Sequence, residues 1–116
     1  MSGPFDGLEP GTVTDAATLA LAHESVPGEQ TVAGSPSTGF VELTDAIGVW
    51  EMSPGAMRDV EADEVFVVLS GSATVVFDEP PLPPVELRPG SVVRLTAGMR
   101  TVWTVHETLR KVYVAG

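Results

Sequence analysis

From Phe40 onward the chain is built of short apolar runs rich in valine, broken by Gly and Pro about every ten residues. That texture predicts strands near 40–44, 47–53, 64–70, 72–78, 84–88, 91–96, 101–106 and 109–115. The turns between them are Ser53-Pro54-Gly55, Ser70-Gly71, the prolines from Pro80 to Pro84, Arg88-Pro89-Gly90 and Ala97-Gly98. So many strands in so short a span leave no room for crossover helices, so the fold class is all-β, an antiparallel barrel or double sheet. Val65-Phe66-Val67-Val68-Leu69 is apolar at both parities, whereas a strand wet on one face alternates. Both its faces should be covered, by a second layer, an arm or a partner subunit.

Residues 1–39 have a different texture, rich in Gly, Pro, Ser, Thr and Ala. They read as an extended N-terminal arm packed along a barrel domain of residues 40–116. Within the arm, Thr14 and Asp15 could cap a short helix over Ala16–Ala22.

Composition narrows the partners. With 116 residues the chain has room for one domain, and a net charge of −10 repels phosphate backbones and anionic lipid headgroups. Neither nucleic acid nor a membrane surface is expected as a partner. There is no cysteine, which removes disulfides, thiolate metal sites and cysteine nucleophiles together. No basic leader precedes an apolar run and no stretch is long enough to span a bilayer, so the expected location is the cytoplasm.

Two segments carry a resemblance. Glu64 through Gly71 has the spacing Glu, six residues, Gly, and Pro89-Gly90 leads after five residues to Thr96-Ala97-Gly98-Met99-Arg100-Thr101. These resemble the two motifs of the cupin superfamily. Gly48-Val49-Trp50-Glu51, Pro54-Gly55, Asp63-Glu64, Trp103-Thr104-Val105-His106-Glu107 and Leu109 to Tyr113 narrow the likeness. They are similar to the small cupins grouped with ureidoglycine aminohydrolase and an ethanolamine-utilisation protein. The resemblance implies a jelly-roll β-barrel, and a metallocupin of this kind holds Mn, Fe, Ni or Zn with His-x-His, the Glu and a later His. Here the stretch from Ala56 to Asp63 contains no histidine and the later position is Thr101. Only Glu64 remains of that ligand set, so no metal and no cofactor are expected.

The candidate chemistry follows from parity. Glu64 opens an apolar strand, where burial would raise its pKa and suit a general acid or base, or a ligand anchor. Its structural alternative is an ion pair with Arg94 or Arg100. Thr101, Trp103 and Val105 share one face, and a buried Trp103 indole needs an acceptor. One of Trp50 and Glu51 should look inward. Asp59, Glu61, Asp63 and Glu64 place four carboxylates within six residues and read together as a solvated acidic loop, and His106 reads as outward-facing. Lys111, the only lysine, alternates with Val112 and Val114 and is expected in solvent; Tyr113 shares its parity, although the resemblance places the last strand along the cavity. Arg58 and Arg100 flank the two motifs, where they would gate the mouth or attract an anion.

Three functional readings stand at this point. The leading one is a metal-free cupin that binds a small polar organic molecule through Glu64, Thr101, Trp103, Trp50, Glu51, Arg100 and Tyr113. The second is a metal-dependent hydrolase or lyase. The third is a structural or dimerisation module with a filled barrel, and a homodimer is compatible with all three.

Overall fold

A computed structural model describes residues 3–116, and among them every regular element is a β-strand. In chain order these are β1 (Glu24–Ser25), β2 (Thr31–Ala33), β3 (Ser37–Glu42), β4 (Ile47–Met52), β5 (Gly55–Val60), β6 (Glu64–Glu79), β7 (Leu82–Leu87), β8 (Val92–Leu95) and β9 (Arg100–Ala115). All pairings are antiparallel. The expected all-β architecture is therefore what forms, as a curled sheet closed partway into a barrel.

Two long strands organise it. β6 and β9 pair along their whole lengths, Glu64 opposite Ala115 at one end and Glu79 opposite Arg100 at the other. The later half of β9 also pairs with β4, which carries β3 and β1, while the earlier half of β6 takes β8. The earlier half of β9 pairs with β5, which carries β2, and the later half of β6 takes β7. The two halves face each other and enclose the core of Met52, Met57, Phe66, Val68, Val75, Phe77, Leu95, Trp103 and Leu109.

The expected turn at Ser70-Gly71 is instead a bulge inside β6. Gly71 has a φ of +88° and lies against the backbone carbonyl of Thr108, and the register with β9 slips between Val68 and Ala73. A bulge adds a residue to one strand and bends it without ending it. The inward parity of β6 consequently switches from Glu64, Phe66 and Val68 to Ala73, Val75 and Phe77. The likewise expected break between 101–106 and 109–115 is absent, and β9 runs through.

At the prolines the chain turns at Pro80 and Pro81, and β7 pairs only with β6. Pro83 and Pro84 thus lie on an edge strand, where their missing N–H groups leave nothing unpaired. The arm contributes strands of its own, β1, β2 and the start of β3. No helix forms over Ala16–Ala22. Asp15 caps a single turn, accepting from the Ala17 amide at 3.1 Å, and the chain then extends because its carbonyls are claimed by Arg110.

Candidate functional site

The strand register brings an ammonium to the middle of the inner face. Lys111 lies opposite Trp50 on β4 and Val68 on β6, and Phe66 lies opposite Tyr113. Its Nζ donates to Glu64 Oε2 at 2.8 Å. It also stands 4.3 Å from the Phe66 ring centroid and 4.8 Å from each of Trp50 and Trp103. Trp103 comes from the facing half of the barrel, its ring 5.6 Å from those of Trp50 and Phe66. The negative ring faces and the carboxylate together replace the water that Lys111 loses, since it is only 5% exposed.

This overturns the solvent position expected for Lys111. The valines that suggested an outward lysine are themselves outside, Val114 being 45% exposed, while Leu109, Lys111 and Tyr113 continue the inner face of Thr101, Trp103 and Val105. Apolar residues on both faces of β9 make hydrophobicity a poor guide to parity. Glu64 is an ion-paired inner-face residue, but its partner is Lys111 and neither Arg94 nor Arg100.

A second polar group lies beside the first. Thr101 Oγ1 donates to Glu61 Oε2 at 2.5 Å, and the Trp103 indole Nε1 donates to the same oxygen at 3.0 Å. Glu61 is buried, held by backbone bonds to Met99 and Gly98, and Asp59 and Glu64 are half-buried, so of the acidic stretch expected in solvent only Asp63 is exposed. The indole's need for an acceptor was legible in the sequence; which acid would meet it was not. Next to them Asp59 is pushed up to about 6, by burial first and then by the charge of Glu61, against the opposing pull of the Val60 amide and Lys111.

The remaining candidates separate. Trp50 looks inward and Glu51 outward, where Arg110 Nε donates to it at 2.7 Å and His23 Nε2 lies 2.8 Å away. Burial raises the Glu51 carboxyl, but the hydrogen bonds from Arg110 and His23 outweigh it and hold the group below its usual value. Arg110 also donates to the carbonyls of Ala16 and Leu19, pinning the arm over this face. Glu51 is thus part of the arm's anchorage and does not line the interior. Arg100 is exposed and lies 3.6 Å from Glu79, also away from the interior. Tyr113 lies flat across Gly48, which has no side chain to obstruct it, and its hydroxyl is raised by burial and by the charges of Glu42 and Glu64. His106 faces outward, 3.0 Å from the Thr74 hydroxyl. Phe40, which parity did not single out, sits opposite Trp50 and is 61% exposed, at the open side of the inner face.

The donor set does not fit a divalent metal. Glu64 is occupied by an ammonium, and Glu61 accepts from Thr101 and Trp103. Among the described residues no three His, Cys, Asp or Glu side chains converge as metal ligands would.

Comparisons with known proteins agree with the fold. A protein of unknown function from Pseudomonas syringae pv. tomato superposes with a TM-score of 0.71 at 18% identity, covering 88% of this chain and 46% of its own. This chain therefore spans just under half of that protein. A putative ethanolamine utilization protein Q from Salmonella typhimurium gives a TM-score of 0.58 at 15% identity, covering 84% of this chain and 96% of its own. A cupin-like protein from Thermotoga maritima gives 0.57 at 12%, covering 78% and 74%. No curated protein matches the chain. The model of the EutQ-like cupin domain matches residues 42–113, more than half of the sequence, and the chain belongs to that family of cupins.

Proposed function

We propose that this cupin binds a small polar organic molecule at the open side of its inner face, without a metal, using the Lys111–Glu64 pair as the polar centre and Trp50, Tyr113 and Phe40 as the wall. The observation that carries the reading is the caged ion pair lying beneath partly exposed aromatic rings. A buried pair contributes little net stability compared with apolar residues of the same volume, so packing alone does not account for it. A ligand with one donor and one acceptor could exchange with either member of the pair while the rings hold its apolar part. Thr101 and Trp103 support that centre through Glu61. A metal-dependent hydrolase or lyase is the weaker reading, because the carboxylates it would need are engaged by Lys111, Thr101 and the indole.

The test is a screen of small polar metabolites by thermal shift and calorimetry, on protein purified without affinity metal. The expected outcome is a ligand whose affinity falls in Glu64→Gln, with chelator leaving the melting temperature unchanged. A chelator-sensitive melting temperature, or ligand binding indifferent to Glu64→Gln, overturns the proposal.

We also infer a homodimer through the outer face. Val65 and Val114 face each other there across β6 and β9, and Val92 beside them on β8 is 67% exposed, which leaves the outer side of the doubly apolar strand uncovered within one chain. Sedimentation should give twice the chain mass, and Val92→Glu should give monomers. A wild-type monomer at micromolar concentration removes this inference.

A further inference from the structure

The outer face of the β3–β4 pair brings together a hydroxyl, an imidazole and a carboxylate. Gly39 lies opposite Glu51, and just past β4 the Ser53 amide donates to the Ser37 carbonyl at 2.9 Å. Alternation along the two strands therefore sets Ser37, Gly39, Glu51 and Ser53 on one face, which Arg110 shares from its place opposite Glu51. The arm crosses this face just before β1. There the His23 ring rests on Gly39, where a Cβ would stand 3.0 Å from its Cδ2.

His23 joins the two strands through both ring nitrogens. Nδ1 lies 2.7 Å from Ser37 Oγ, and Nε2 lies 2.8 Å from Glu51 Oε1. An ionised carboxylate can only accept, so in the neutral ring Nε2 carries the proton and Nδ1 accepts from the Ser37 hydroxyl. Arg110 Nε donates to the other Glu51 oxygen at 2.7 Å, which fixes the carboxylate from below. Burial is graded along this chain of groups. The Arg110 and Glu51 side chains are 9% and 18% exposed, whereas that of His23 is 25% exposed and Ser37 is half-buried, so the hydroxyl end is the one open to a reactant.

A hydroxyl, a base that accepts its proton and a carboxylate that fixes the base's tautomer are the parts of an activated serine. Ser53 adds a donor. Its Oγ accepts from the Ser37 amide at 2.8 Å and lies 3.0 Å from Ser37 Oγ, so its own proton is available beside the atom that would attack. We propose that Ser37 is a nucleophile, with His23 as its base and Glu51 as the positioning residue, that acts on small uncharged esters. Ser37 Oγ bonds to the carbonyl carbon as its proton passes to Nδ1, and the leaving alkoxide departs with that proton. Water then attacks the acyl-serine, giving one proton to Nδ1, and the carboxylic acid leaves as that proton returns to Ser37 Oγ. The net charge of −10 disfavours an anionic acyl group. The site lies on the outer face and does not depend on the ligand proposed for the inner one.

The probe is a neutral fluorophosphonate, which forms a P–O bond to an activated serine and loses fluoride. Intact mass and peptide mapping should show one adduct per chain, on Ser37. Ser37→Ala should abolish it and His23→Gln should slow it about 100-fold, while Ser91→Ala, in the turn before β8, should leave it unchanged. Glu51→Gln should lower the maximal labelling rate about 10-fold without changing the half-saturating probe concentration, a split that a purely structural role would not give. The same variants should rank alike in hydrolysis of p-nitrophenyl acetate. No adduct on the wild-type chain, an adduct mapped to any other residue, or labelling unmoved by His23→Gln overturns the proposal; the wild-type map decides it even if His23→Gln loosens the arm.

Discussion

Lys111 and Glu64 are not equivalent partners, because the rings around them favour one sign of charge. Phe66, Trp50 and Trp103 present electron-rich faces to the ammonium, and these would repel a lone carboxylate. Lys111→Met should therefore cost about 3 kcal/mol in urea unfolding, since it strands Glu64, and adding Glu64→Leu should recover most of the loss. Glu64→Gln keeps an acceptor for Nζ and should cost about 1 kcal/mol. Equal costs for the two single changes would show that the rings contribute nothing. Asp59 carries the pH dependence. Its carboxyl is raised from 3.8 to about 6 in the folded chain, so between those values the native state binds more protons than the unfolded one. Stability should fall as pH rises through that window and level off above it. Asp59→Asn should flatten this slope and raise stability at pH 7 by about 1 kcal/mol after allowance for solvent screening, as read from melting temperatures across pH. The need of a buried Trp103 for an acceptor could be read from its residue type, but its meeting with Glu61 spans 42 positions of sequence and is decided by packing.

At the scale of elements, the bulge in β6 and the strap of the arm do most to position the site. Gly71 holds a left-handed conformation against the Thr108 carbonyl, and this switches the inward parity of β6 between its halves. Gly71→Ala adds both backbone strain and a collision, so a loss above about 2 kcal/mol is expected in thermal or urea unfolding. The spacing Glu64 to Gly71 was visible as a motif, while the outcome, a bend in place of a turn, depends on β9 remaining paired on both sides of it. Between Ala16 and Leu19 the arm is held by the Arg110 side chain. Arg110→Met should release residues 16–19, seen as faster hydrogen exchange across that segment with the protection of β6 and β9 retained. The short helix expected there does not form because nucleating it offers few hydrogen bonds, whereas the extended chain gives its carbonyls to a buried guanidinium.

Across the whole molecule, charge and apolar surface are sorted by face. The inner face carries the ammonium and its rings, one outer area carries Glu51, Arg110 and the arm, and another exposes Val65, Val92 and Val114. Local pattern and turn residues were enough to read the fold class and the positions of most strands, because both depend on short-range sequence. Period-two alternation also put Thr101, Trp103 and Val105 on one face, while the inward place of Glu64 came from the resemblance. The tertiary structure decided that Lys111 joins them, that Glu61 is buried and that Glu51 and Arg100 are not inside. The physical reason is that a valine-rich strand packed on both faces carries no parity signal of its own, and a charged side chain can enter a core when partners from distant strands meet it there.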